Sequence, residues 1–279
     1  MSRAFAVACA CVTACTVASP ASPSGDDTTG DDGSGTVTAR CTIDETTAKC
    51  SSHAIQIGGR TVTYEVPLGE PPATGWPVVV FYQGSFVAGD HAFEATKDAA
   101  FGQYQLTSTI AALLDRGYAV VAPNALGNGS LYWQTNVPPY ATSWSGCADD
   151  AFVHQLLAAA SDDTFGPLDP ARRYAMGISS GGFMTSRMAV SYAGQFRALA
   201  IASGSYATCG KTCTVPPLPA DHPPTLFLHG EADTVVPIAS MEPYRDALGQ
   251  KADTIVNPSA GHEWISDAIH ALPDWFDAH

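Results

Sequence analysis

Positive charge is scarce in this chain. Its 279 residues carry 13 Lys+Arg against 27 Asp+Glu, a formal net charge of −14, and the few basic side chains are scattered. Affinity for a phosphate backbone rests on clustered Lys and Arg, so no nucleic-acid partner is expected. Long apolar runs are lacking too: the one near the N-terminus falls short of the roughly 20 residues that cross a bilayer as a helix, and no spanning helix is expected in the mature protein. The paired aspartates at 26–27 and 31–32 lack the alternating ligand spacing and closing Glu of a calcium loop. No metal and no cofactor are expected, and no internal repeat is visible. With 46% hydrophobic and 14% charged residues, the chain has enough apolar side chains to bury one sizeable core.

What is present begins with an export signal. MSRAFAVACACVTACTVASPAS has one Arg, a short apolar run and then small residues, so residues 1–21 are read as a signal peptide. Two endings fit. One is ordinary cleavage between Ala18 and Ala21; the other is lipid attachment at Cys15 in VTAC, which resembles a bacterial lipobox and would anchor the protein to the outer membrane as a lipoprotein. Either ending implies export, with the secreted, extracellular form as the first reading. Residues 22–38, SPSGDDTTGDDGSGTVT, hold no large apolar side chain and cannot offset the entropy of ordering; they are read as a linker. Residues 39–279 remain as a single folded domain.

Of the eight cysteines, three lie in the leader. Export favours disulfides among the other five. Short loops close most readily, which favours Cys41 with Cys50 and Cys209 with Cys213; a bridge from Cys147 to Cys209 or Cys213 is the alternative. Cys147 lies in SWSGCADD beside two carboxylates, which raise a thiol pKa, and is read as structural.

The domain alternates short apolar runs with helical patterns. Strands are expected at 61–66, 77–82, 118–123, 172–178, 197–203, 225–230 and 253–258. Helices are expected at 105–117, 148–161 (capped by Asp149 or Asp150), 182–193, 240–249 and 263–276. The rhythm is that of an α/β domain with an open, mostly parallel sheet and helices on both faces.

Within it, YAMGISSGGF (174–183) sets two serines among three glycines between a strand and a helix. A strand that turns sharply into a helix exposes the side chain at the tip of the turn, and small residues two before and two after keep the backbones apart. Ser179 has Gly177 and Gly181 there; Ser180 would have Ile178. Ser179 is the candidate nucleophile. Ser180 contributes a backbone N–H at the start of the helix, half of an oxyanion hole. Without partners the motif is an ordinary glycine-rich turn, because a serine hydroxyl needs a histidine base held by a carboxylate. HGEADTVVP places Asp233 after one strand, and AGHEW places His262 after the next, in the order Ser, acid, His. Glu231 is the alternative acid, and it lies nearer the strand end. His229 is read as scaffold, and the remaining histidines are given no role. In VVVFYQGSF, Gln83 stands where many hydrolases have His, and the N–H of Ser85 is the second oxyanion candidate, with Phe86 behind it.

These residues resemble secreted α/β-hydrolase polyesterases, and among them the extracellular depolymerases of medium-chain-length polyhydroxyalkanoates. The likeness rests on GISSGGF with TSRMAVSY, on HGEADTVVP and on AGHEW, and covers most of the chain after Cys41. It implies an α/β-hydrolase fold and a serine esterase acting on poly(3-hydroxyoctanoate)-type polyesters, with Ser179, Asp233 and His262 as nucleophile, acid and base. Competing readings are a feruloyl or acetylxylan esterase, a short-chain polyhydroxybutyrate depolymerase, a serine peptidase, and an inactive surface lipoprotein that binds polymer. In SLYWQTNVPPYATSW (130–144), Trp133 and Trp144 are expected to bind the apolar polymer; the alternative is that these aromatics cover the core.

Overall fold

The computed structural model describes residues 39–210 and 214–279. The leader with Cys15, the linker at 22–38 and Cys213 lie outside the described residues. In chain order, β1 (Cys41–Ile43), β2 (Thr47–Cys50), β3 (His53–Ile57) and β4 (Arg60–Glu65) precede β5 (Trp76–Tyr82), and a short β6 (Glu94–Thr96) leads into α1 (Gln103–Asp115). Strands and helices then alternate: β7 (Ala119–Pro123), α2 (Ala148–Ala159), β8 (Leu168–Ile178), α3 (Ser180–Ser191), β9 (Leu199–Ala202), β10 (Thr225–Gly230), α4 (Glu242–Leu248), β11 (Ala252–Asn257) and α5 (Ala268–Asp277).

Eight strands form one sheet in the order β11-β10-β9-β8-β5-β7-β4-β3. It is parallel from β11 to β7 and antiparallel at β4 and β3. Successive side chains of a strand point to opposite faces, and β5 uses both. Val79 and Phe81 pack with Leu106 and Ile110 of α1 and Leu272 and Phe276 of α5. Val78 and Val80 pack with Phe152 and Leu156 of α2 and Met184 and Met188 of α3. This is the α/β-hydrolase fold.

Four strands differ from the sequence reading. β1, β2 and β6 form a separate antiparallel sheet in the order β1-β2-β6, and β3 extends the main sheet. β1, β2 and β6 are only three or four residues long, and β3 carries just the alternating Ile55 and Ile57, so no long apolar run announces them. Cys41 lies opposite Cys50 and is bonded to it; Cys209 is also disulfide-bonded. Cys147 is free and buried, and burial, the largest influence on it, pushes its thiol above the usual value. Its sulfur caps α2 by accepting the Asp150 N–H at 3.4 Å. Asp149 and Asp150 are therefore not the caps: Asp149 pairs with Arg60 at 2.7 Å and Asp150 accepts from Tyr192 Oη at 2.7 Å. The last helix starts at Ala268 rather than 263.

Trp133 and Trp144 are core residues, contrary to the expectation that they bind substrate. Trp133 is 0% exposed; its ring stands edge-on to Tyr82 at 5.3 Å and its Nε1–H donates to the Gln83 carbonyl at 3.2 Å. Trp144 is 7% exposed, donates to Tyr192 Oη at 3.1 Å and lies 4.9 Å from the Arg187 guanidinium. Each indole N–H finds a partner inside, so burial leaves no polar cost. Trp133→Ala is expected to lower unfolding free energy by about 3–5 kcal/mol, read from the urea midpoint, and to depress activity on soluble and insoluble esters in proportion.

Candidate active site

The carboxyl ends of β5, β8, β9, β10 and β11 meet at one edge of the sheet, and each continues into a loop that brings a side chain to the same place. At the end of β8 the chain turns through Ser179, whose φ of 56° and ψ of −122° cost on the order of 1–3 kcal/mol and persist only where the surroundings enforce them. The enforcement is steric. A Cβ on Gly181 would sit closer than 3.0 Å to the carbonyl oxygens of Tyr82 and Gln83, and one on Gly177 would meet the carbonyls of Gly181 and Tyr82. Ser179 N–H donates to Ala202 O at 3.0 Å, and its carbonyl accepts the Phe183 N–H at 3.1 Å, opening α3.

After β10, Asp233 is 4% exposed and folds its carboxylate back on its own loop. Oδ1 accepts the N–H groups of Val235 at 2.9 Å and Val236 at 2.8 Å, while Oδ2 receives His262 Nδ1 at 2.8 Å. Burial alone would raise this carboxyl, but the hydrogen bonds from His262 and Val236 outweigh it and hold Asp233 below the usual carboxylate range. Because Nδ1–H is committed to Asp233, the neutral imidazole has its lone pair on Nε2. Glu231 is exposed, and Asp233 is the carboxylate on His262. His229 is fully buried; its Nε2–H donates to the Val236 carbonyl at 2.8 Å, and burial pushes it below the usual imidazole value, so it remains neutral. It braces the acid loop.

Ser179 and His262 line one cavity of about 330 Å³ together with Ser85, Phe86, Phe101, Leu106 and Val235. The loop after β5 supplies one wall. Phe86 N–H donates to Leu131 O at 2.8 Å, which removes it as an oxyanion donor and leaves Ser85 N–H as the candidate from this loop, opposite Ser180 N–H at the first position of α3. Gln83 is a bracket between loops: Oε1 accepts Ala125 N–H at 3.2 Å and Nε2 donates to Gly129 O at 3.0 Å. The cavity's apolar walls, Phe86, Phe101 and Val235, were not singled out as binding residues in the sequence, since loop residues carry no periodic signal. Among the described residues, no group of three or more His, Cys, Asp or Glu side chains could hold a metal ion, and no helix is long and apolar enough to cross a membrane.

No protein-family model matches the sequence. A poly(3-hydroxyoctanoate) depolymerase from Pseudomonas fluorescens is 50% identical over 228 residues, which cover 80% of this chain and 81% of that protein. The chain belongs to the poly(3-hydroxyoctanoate) depolymerase family. It is an ester-hydrolysing enzyme, and the resemblance carried by GISSGGF, HGEADTVVP and AGHEW is that of a true relative. Among solved structures, an acetyl xylan esterase from Aspergillus awamori matches with TM-score 0.60 at 17% identity, covering 82% of this chain and all of that one. A lidless α/β serine hydrolase from Xanthomonas campestris matches with TM-score 0.52 at 16% identity, covering 81% and 92%. These two share the fold of the depolymerase family.

Three outcomes are expected of the site. Ser179→Ala abolishes ester hydrolysis and labelling by an organophosphonate, while Ser180→Ala, which keeps its N–H, retains most activity; equal loss in both moves the nucleophile. Asp233→Asn lowers kcat by roughly 10⁴. Because the folded pKa of Asp233 lies below its unfolded value, its ionisation stabilises the fold fully above about pH 4 and progressively less as pH falls through the folded value. The Tm gap between the parent and Asp233→Asn should therefore narrow below that pH; a gap that widens on acidification contradicts the assignment.

Proposed function

We propose that the protein is an exported serine esterase that cuts the ester bonds of medium-chain-length polyhydroxyalkanoates such as poly(3-hydroxyoctanoate). One observation carries this reading. In a chain of net charge −14, none of the residues lining the cavity around Ser179 and His262 is Asp, Glu, Lys or Arg, and most are apolar. Such walls suit an uncharged ester with alkyl side chains, whereas the many hydroxyls of a polysaccharide would lose water there and find few partners beyond His91 and Gln103. The name of the 50%-identical relative agrees.

In this reading Ser179 Oγ attacks the ester carbonyl and His262 Nε2 takes its proton, while Asp233 holds the imidazole and stabilises its charged form. The N–H groups of Ser180 and Ser85 receive the oxyanion in surroundings where apolar walls exclude water and strengthen each bond. His262 then returns the proton to the departing alkoxide oxygen, releasing the alcohol end of the polymer. A water deprotonated by the same histidine hydrolyses the acyl-enzyme and frees Ser179. The leader supports export, with a lipid anchor at Cys15 as the alternative to free secretion.

The test is a clearing assay on poly(3-hydroxyoctanoate) and poly(3-hydroxybutyrate), alongside p-nitrophenyl esters and acetylated xylan. Clearing of the octanoate polymer and higher kcat/KM for p-nitrophenyl octanoate than for acetate are expected. Release of acetate from xylan without clearing would replace this reading with a carbohydrate esterase.

A further inference from the structure

The most exposed large apolar side chains are not scattered. Among the described residues, the top three are Phe86 at 70%, Val235 at 66% and Phe101 at 53%, and all three line the cavity that holds Ser179 and His262. They come from three separate loops, after β5, after β10 and before α1. The patch continues outward, since Phe86 N–H is bonded to Leu131 O and both Leu131 and Tyr132 are exposed. Phe86 and Phe101 are also held at positive φ, 67° and 61°, a conformation rare for bulky residues. Strain and exposed rings coincide at the mouth of the cavity, where folding alone gains nothing from either.

We infer that Phe86, Phe101 and Val235, continued by Leu131 and Tyr132, form the surface by which the enzyme adsorbs to solid polyester bearing alkyl side chains. This rests on the polyester reading above. The patch is continuous with the catalytic cavity, so a chain seated on it is already beside Ser179; Phe86 follows the candidate oxyanion residue Ser85, and the Phe101 ring lies 6.3 Å from that of His262. The occupant is uncharged, because the cavity walls carry no formal charge and the rest of the chain, at −14, would repel the anionic surface of a bacterial membrane. Adsorption needs no appended binding module if these side chains bury their rings in the polymer's hydrocarbon.

Adsorption can be measured apart from catalysis by carrying Ser179→Ala in the full chain and recording the fraction left unbound by poly(3-hydroxyoctanoate) particles. Adding Phe86→Ser, Phe101→Ser or Val235→Ser is expected to lower the partition coefficient roughly tenfold each. Val190→Ser, at an exposed apolar residue of α3 that does not line the cavity, should leave it unchanged. Melting curves identify which variants fold, and any one folded rim variant decides. Undiminished adsorption by it overturns the inference. So does equal partitioning of the parent onto neutral phosphatidylcholine vesicles, or a dimer in sedimentation velocity that the same substitutions dissolve. A parent chain that hydrolyses no p-nitrophenyl ester removes the esterase reading instead, and leaves the adsorption result to stand or fall by itself.

Discussion

The whole site depends on how closely the end of β5 approaches the turn after β8. At Gly181 there is no room for even a methyl group against the carbonyls of Tyr82 and Gln83, and Gly177 is pressed against the same strand. That contact does three things together. It forces Ser179 into a conformation that an isolated peptide would abandon, it starts α3 with Ser180 N–H at the turn, and it brings Gly84 and Ser85 alongside. The candidate nucleophile and both candidate oxyanion donors are thus fixed by one steric constraint between neighbouring parallel strands, with sheet hydrogen bonds such as Ser179 N–H to Ala202 O holding the geometry in place.

Around this contact the other loops are tied to one another rather than left to find the site independently. His262 is held to Asp233, and the Asp233 loop is closed on itself and braced by buried His229. Two residues past His262, Trp264 N–H donates to Phe101 O at 3.0 Å, and Gly102 lets the two backbones touch. The backbone segments that carry His262 and Phe101, one aromatic wall of the cavity, are therefore tied together. Among the described residues, five of the six positive-φ residues other than glycine, Phe86, Phe101, Asn128, Ser179 and Ser203, lie in segments at this edge, so strain is concentrated around the candidate site and is sustained by the packed sheet beneath.

How legible this was in the sequence followed from how each part is encoded. The parallel strands are unbroken runs such as VVVFY, whose both-face burial leaves a clear signature, and the elbow is fixed by local sterics, so Ser179 with Gly177 and Gly181 could be read from five residues. Chain order pointed to Asp233 and His262, and the structure brings those two side chains together at 2.8 Å. The short strands β1, β2 and β6 were not legible because three or four residues are too few to show a side-chain pattern, and the alternating Ile55 and Ile57 of β3 are the one signal that was passed over. The tryptophans misled for a related reason. A loop rich in aromatics and prolines looks like a binding surface, yet whether its rings face out depends on partners distant in sequence: Gln83 for Trp133, and Tyr192 with Arg187 for Trp144. The apolar side chains that do face out, Phe86, Phe101 and Val235, are single residues in three loops, and only the fold collects them.

The distribution of charge connects stability, solubility and chemistry. A patch of exposed phenylalanine and valine would favour self-association in a protein near neutrality, whereas an acidic surface keeps copies apart through repulsion that acts over about a Debye length. Keeping that charge out of the cavity matters equally for the reaction. In the proposed reaction a carboxylate beside Ser179 would oppose the developing oxyanion. The single carboxylate that the proposed chemistry uses, Asp233, is held on the far side of the imidazole and has both oxygens engaged. In the proposed reaction its charge would therefore stabilise the imidazolium that forms as the proton moves, while the apolar walls would leave the oxyanion to the backbone N–H groups.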